Sequence, residues 1–199
     1  MQVDKSETVR ITWRAEPSSD RKYVFCNISI ETPQGVIGNN TWCLGQALIN
    51  SISELLKILK SQKETCVSVS MFEEYNQTSI FSSLIQHLKT RRSKAVCFYE
   101  YIQNVEKIDF SYIPYMAVPY GVENFDVLQA FIIRLNDNSA YLMWRTNADN
   151  KLQYLTVDYN EYISMWDECF VAISLKISEI ISKNEAIKQS GTDPKTAPP

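Results

Sequence analysis

Hydrophobic and polar positions alternate near the N-terminus, where Val9, Ile11 and Trp13 are interleaved with Thr8, Arg10, Thr12 and Arg14. A period of two places the apolar set on one side of an extended chain, so 8–14 is predicted as a half-buried strand. The polar run Glu16-Pro17-Ser18-Ser19-Asp20 then turns the chain into Tyr23 to Glu31, where Val24, Cys26, Ile28 and Ile30 share a face. The two runs are expected to pair as a hairpin, with a further turn at Thr32-Pro33-Gln34-Gly35.

From Leu44 to Lys60 the period changes. Leu48, Ile52, Leu55, Leu56 and Leu59 recur at helical spacing, with Gln46, Asn50, Ser53, Glu54, Lys57 and Lys60 opposite them, which predicts an amphipathic helix lying on a sheet. A short strand at Cys66 to Val69, a helix from Thr78 to Lys89 and an extended run from Lys94 to Ile102 follow. Pro114, Pro119 and Gly121 interrupt regular structure between Phe110 and Phe125, so this stretch reads as a long ordered loop.

Three β-type runs come next, Val127 to Leu135, Ala140 to Thr146 and Leu152 to Asp158, joined by Asn- and Asp-rich connectors suited to hairpin loops. They predict an antiparallel meander. Asn160 to about Lys183 is the longest predicted helix, its apolar stripe traced by Ile163, Trp166, Phe170, Ile173, Ile177 and Ile180. The expected architecture is α+β, an antiparallel sheet built from the N-terminal hairpin and the C-terminal meander and packed by amphipathic helices. Residues 1–188 are expected to form one domain, and 189–199, polar and proline-rich, a flexible tail.

Composition narrows the function classes. With 199 residues, 45% hydrophobic and 22% charged, the chain is long enough to bury a core without staples. The N-terminal residues carry no secretory pattern and no apolar run reaches the roughly 20 residues of a membrane span, so a cytoplasmic, non-membrane protein is expected. The triplets beginning at Asn27, Asn39 and Asn76 then read as chance glycosylation motifs. Five cysteines, at 26, 43, 66, 97 and 169, fit neither a disulfide framework nor a zinc site and are expected to be reduced.

Chemistry is sparse. No phosphate loop, nucleophile elbow, dinucleotide fingerprint or zinc-protease motif occurs, so no catalytic, cofactor-binding or metal-ligating residue is predicted. The single histidine, His87, reads as a boundary residue of an amphipathic helix, although a Cys–His pair with any of the five cysteines stays open as an unrecognised Cys-dependent enzyme. Glu73-Glu74 and Asp167-Glu168 read as solvated charge.

The net charge of −3 divides unevenly, since residues 1–99 hold 12 basic and 9 acidic groups and residues 100–199 hold 8 and 14. An acidic half repels phosphate and steers basic partners, which argues against nucleic acid. Within that half, Phe98 to Asp126 carries eight aromatic and five acidic residues against one lysine. Glu100, Tyr101, Glu106, Asp109, Tyr112, Tyr115, Tyr120, Glu123 and Asp126 are the candidate partner-binding residues, because tyrosine gives rigid contact area and acids select a basic surface. The competing reading is that half of these rings plug the core beneath a loop.

The order of these parts resembles small bacterial immunity proteins, the antidotes encoded beside contact-dependent and other polymorphic toxins. The resemblance rests on the hairpin with Gly35-Val36-Ile37-Gly38, the Leu48 to Leu59 helix, and the meander from Phe131 through Arg145 followed by a helix. It implies a cytoplasmic protein that binds a cognate toxin domain encoded by a neighbouring gene and blocks it, with no catalytic residue of its own. A secretion chaperone or adaptor is the alternative in the same class. Oligomeric state is not legible in the sequence.

Overall fold

A computed structural model describes residues 9–61, 116–119, 121–125, 129–145 and 151–189. Strand β1 (Arg10–Pro17) pairs antiparallel with β2 (Val24–Thr32), in register from Arg10↔Glu31 to Pro17↔Val24. The strand therefore continues through Ala15 to Pro17, past the point where the turn was expected. A proline is tolerated in the last rung because the ladder ends there and needs no further donor from it. The turn itself is closed by Ser18, whose N–H donates to the Tyr23 carbonyl at 2.8 Å and whose Oγ accepts the Tyr23 N–H at 3.0 Å.

Val24, Cys26, Ile28 and Ile30 of β2 are buried, as their alternation predicts, while Phe25, Asn27, Ser29 and Glu31 face outward. Two short strands, β3 (Gly35–Ile37) and β4 (Cys43–Leu44), share the other edge of β2 and complete a four-stranded sheet. Helix α1 (Gly45–Ser61) follows directly, burying the predicted stripe Leu48, Ile52, Leu55, Leu56 and Leu59.

The meander is present as β5 (Gln129–Arg134), β6 (Ser139–Arg145) and β7 (Leu152–Asp158), forming a second, three-stranded antiparallel sheet. Asn136 shapes the β5–β6 turn, its Oδ1 accepting the N–H groups of Asn138 at 3.0 Å and Ser139 at 2.9 Å. Hairpin and meander thus lie in separate sheets among the described residues, and the α+β class stands.

Helix α2 (Tyr159–Gln189) starts at Asp158, whose Oδ1 accepts the N–H groups of Asn160 at 2.8 Å and Glu161 at 2.9 Å. This N-cap satisfies donors that have no partner inside the helix. The helix runs past Lys183, its expected end, and there Asn184 is buried and its Nδ2 donates to the Arg21 carbonyl at 3.2 Å. Arg21 has φ 57°, so the far end of α2 braces a strained hairpin turn. No helix among the described residues is long and apolar enough to cross a membrane.

One buried cluster joins both sheets and both helices. It holds Ile28, Ile30 and Ile37 from the first sheet, Ile132, Leu142 and Trp144 from the second, and Leu48, Leu59, Trp166 and Ile173 from the helices. Tyr159 locks the helices together by donating its hydroxyl to the Leu59 carbonyl at 2.8 Å, with Lys60 and Asp167 paired at 2.8 Å above it. Phe131, Ile133 and Met143 are also buried, on the opposite face of the second sheet and apart from that cluster. An apolar requirement on both faces explains why β5 reads as a nearly continuous hydrophobic run instead of alternating.

Candidate protein-binding surface

The outward face of the first sheet is set by register. Phe25 stands opposite Leu44 on one side and Glu16 on the other, Asn27 opposite Arg14, and Glu31 opposite both Arg10 and Val36. Cys43 is buried toward the core, so strand alternation turns Trp42 and Leu44 to the solvent side. Trp42 is 37% exposed, Leu44 46%, Val36 51% and Tyr23 57%, with Trp42 and Leu44 at the β4 end of β2, Val36 at its β3 end and Tyr23 in the β1–β2 turn. Trp and Tyr in partly exposed positions are the residue types that anchor protein contacts.

The loop between β3 and β4 is fixed by side-chain amides. Asn27 Nδ2 donates to the Thr41 carbonyl at 2.8 Å, and Asn39 Oδ1 accepts the Thr41 N–H at 2.8 Å. Asn39 Nδ2 donates to the Glu123 carbonyl at 2.9 Å, its N–H donates to the Asn124 carbonyl at 3.1 Å, and Asn124 Nδ2 donates to the Thr41 carbonyl. Gly38 makes this approach possible, since its φ is 120° and an added Cβ would stand 3.2 Å from both the Phe125 ring and Ser29. The bonds that hold Asn27 and Asn39 give both residues a structural role inside their glycosylation-type triplets.

Segment 121–125 is thereby held against the loop that carries Trp42. Of the predicted partner-binding residues, Glu123 is described and exposed; burial first, then Cys26 and the Glu123 charge, push the Cys43 thiol up. Glu100, Tyr101, Glu106, Asp109, Tyr112, Tyr115, Tyr120 and Asp126 lie outside the described residues. Phe125 is buried, along with Ala117, Val118 and Val122. Within the aromatic segment, Phe125 plugs the core, as the competing reading expected for half of the rings, and Glu123 faces solvent. Sequence reasoning missed Trp42, Leu44, Val36 and Tyr23. The available signal was parity, because Tyr23 and Phe25 fall on the polar side of β2 and Trp42 on the opposite parity to Cys43.

The described thiols are Cys26, Cys43 and Cys169, all free and all buried. Burial pushes Cys26 up to about 11 and Cys43 and Cys169 up to about 12, so each is held as the neutral thiol at pH 7. Cys66, Cys97 and His87 lie outside the described residues. Among the described residues no group of three or more His, Cys, Asp or Glu is arranged to hold a metal ion. Compared with protein-family models, curated proteins and solved structures, the chain matches none of them.

Proposed function

We propose that this domain binds another protein and acts as an immunity-type inhibitor, occupying a basic toxin domain encoded by a neighbouring gene. The observation that carries the reading is that exposed Trp42, followed by exposed Leu44 in β4, and exposed Glu123 belong to two segments stitched together by Asn39 and Asn124. An apolar anchor beside an acid suits a partner with an apolar pocket rimmed by Lys or Arg. The stitching matters because a preordered surface loses less conformational entropy on association. The acidic second half of the chain adds long-range attraction toward a basic partner.

The test is co-purification with the product of the neighbouring upstream gene, followed by association and dissociation rates for two variants that stay folded. Trp42→Ala should raise the dissociation rate about tenfold or more, as removal of an aromatic anchor does. Glu123→Arg should slow association and flatten its salt dependence. Absence of binding to that gene product, or rates equal to the parent in both variants, would sink the proposal.

A further inference from the structure

We propose that Cys26 and Cys43 form an oxidation site, closing into a cross-strand disulfide that pins β4 to β2. The two residues are direct register partners in the antiparallel β2–β4 pair, and both are buried on the same, core-facing side. Directly opposed residues in such a pair have Cα atoms about 4.5–5.5 Å apart, inside the range that a disulfide spans. Their Cβ atoms start about 4.5–5.5 Å apart, so closure needs a movement of about 1 Å. Cys43 Sγ already lies 3.4 Å from the Cys26 carbonyl oxygen. Cys26 Sγ in turn sits against the start of α1, where a Cβ placed on Gly45 would be 3.3 Å from it.

Access comes from the shortness of β4. It has two residues and two register pairs, with Leu44 itself and the preceding Trp42 exposed, so opening the pair breaks two rungs and takes only Cys43 of β4 out of the core. Burial and, after it, nearby Cys26 push the Cys169 thiol up, but Cys169 lies within α2, which packs in the main cluster and offers no comparable local opening. The oxidant is a peroxide. The Cys43 thiolate of the opened pair attacks one peroxide oxygen, the O–O bond breaks, and the departing hydroxide leaves as water with the thiol's proton. The Cys26 thiolate then displaces the hydroxyl from the Cys43 sulfenic acid, which also leaves as water. Two thiols and one hydrogen peroxide give one disulfide and two waters. The inference stands apart from the binding proposal, though the bond would fix the residue beside Trp42.

The experiment uses the full chain in native buffer with millimolar hydrogen peroxide. After an acid quench, remaining thiols are alkylated with N-ethylmaleimide under denaturing conditions, and non-reducing digestion with mass spectrometry follows. A peptide linked through Cys26 and Cys43, lost on reduction, is the expected product. A melting temperature raised by roughly 5–10 °C should accompany it. Cys43→Ser should abolish both effects and Cys169→Ser should keep both; the linked peptide in the unmodified sequence is decisive even where a variant fails to fold. Recovery of Cys26 and Cys43 as alkylated thiols, or a bond joining Cys26 to Cys169, would overturn the inference.

Discussion

Replacing Gly45 by alanine tests the packing at the point where β4 becomes α1. A methyl group there would lie 2.6 Å from Ile177 Cδ1, 3.2 Å from the Val24 carbonyl oxygen and 3.3 Å from Cys26 Sγ. The Ile177 methyl is the end of a flexible side chain and can swing away. Val24 and Cys26 belong to the central strand β2 and cannot move without disturbing its ladder. Overpacking of this kind costs about 1–3 kcal/mol. Alanine returns up to about 1 kcal/mol of helix propensity, and less at the first helical residue. The net expectation is a loss of about 1–2 kcal/mol, read as a melting temperature lower by roughly 3–6 °C for a chain of this size. Urea unfolding followed by circular dichroism measures it, with the m-value unchanged if only the native packing suffers. Ile177→Val removes the crowded methyl at its own cost of about 0.5–1.5 kcal/mol. The double variant should therefore lose about 1 kcal/mol less than the two singles combined, because part of the clash has gone. A Gly45→Ala protein as stable as its parent, or strict additivity in the double variant, would refute the packing argument.

Asp158→Ala should destabilise by about 1 kcal/mol through loss of the α2 N-cap, while Asp158→Asn, which keeps a capping oxygen, should be nearly neutral; urea midpoints distinguish the two. Tyr162→Phe should cost about 1–3 kcal/mol, because the buried Tyr162 hydroxyl donates to the Ala117 carbonyl at 2.6 Å and its removal strands that acceptor. Faster amide exchange in 116–119 than in β1 would locate the damage at that tether, and unchanged exchange there would contradict it.

The elements that were legible in the sequence are those whose burial is one-sided and long. Five leucine and isoleucine positions define the buried face of α1, and the alternation of Val24, Cys26, Ile28 and Ile30 defines the core face of β2. Strands β3 and β4 span three and two residues, too few for any period to register, and their place in the sheet is set by β2. In the extension of α2 to Gln189, Asn184 meets Arg21 across the fold, a contact that no local pattern announces. The candidate surface was harder still. Composition singled out 98–126, but it cannot assign directions, and the structure sends Phe125 inward and Glu123 outward within three residues. Trp42 carried no weight in a search for acidic, tyrosine-rich sequence, because its exposure follows from the burial of Cys43 beside it.

Asn124 shows why this surface is held by polar groups when the surrounding core is apolar. Its side chain is fully buried, its Nδ2 serves the Thr41 carbonyl, and its Oδ1 has no hydrogen-bond partner among the described residues. Burying a polar amide costs free energy that a leucine of similar size does not incur, and each acceptor left unmet adds about 1–3 kcal/mol. A leucine, however, would lose the bond to the Thr41 carbonyl and leave the bonds from Asn39 alone to hold the 121–125 segment in register, since apolar contact does not fix register. The amide donor reaches one carbonyl in one geometry, and Asn39 repeats the constraint from the other side. Three directed bonds therefore tie the loop that carries Trp42 to the segment that carries Glu123, and such preordering is what the proposed recognition surface would require of the loops that build it.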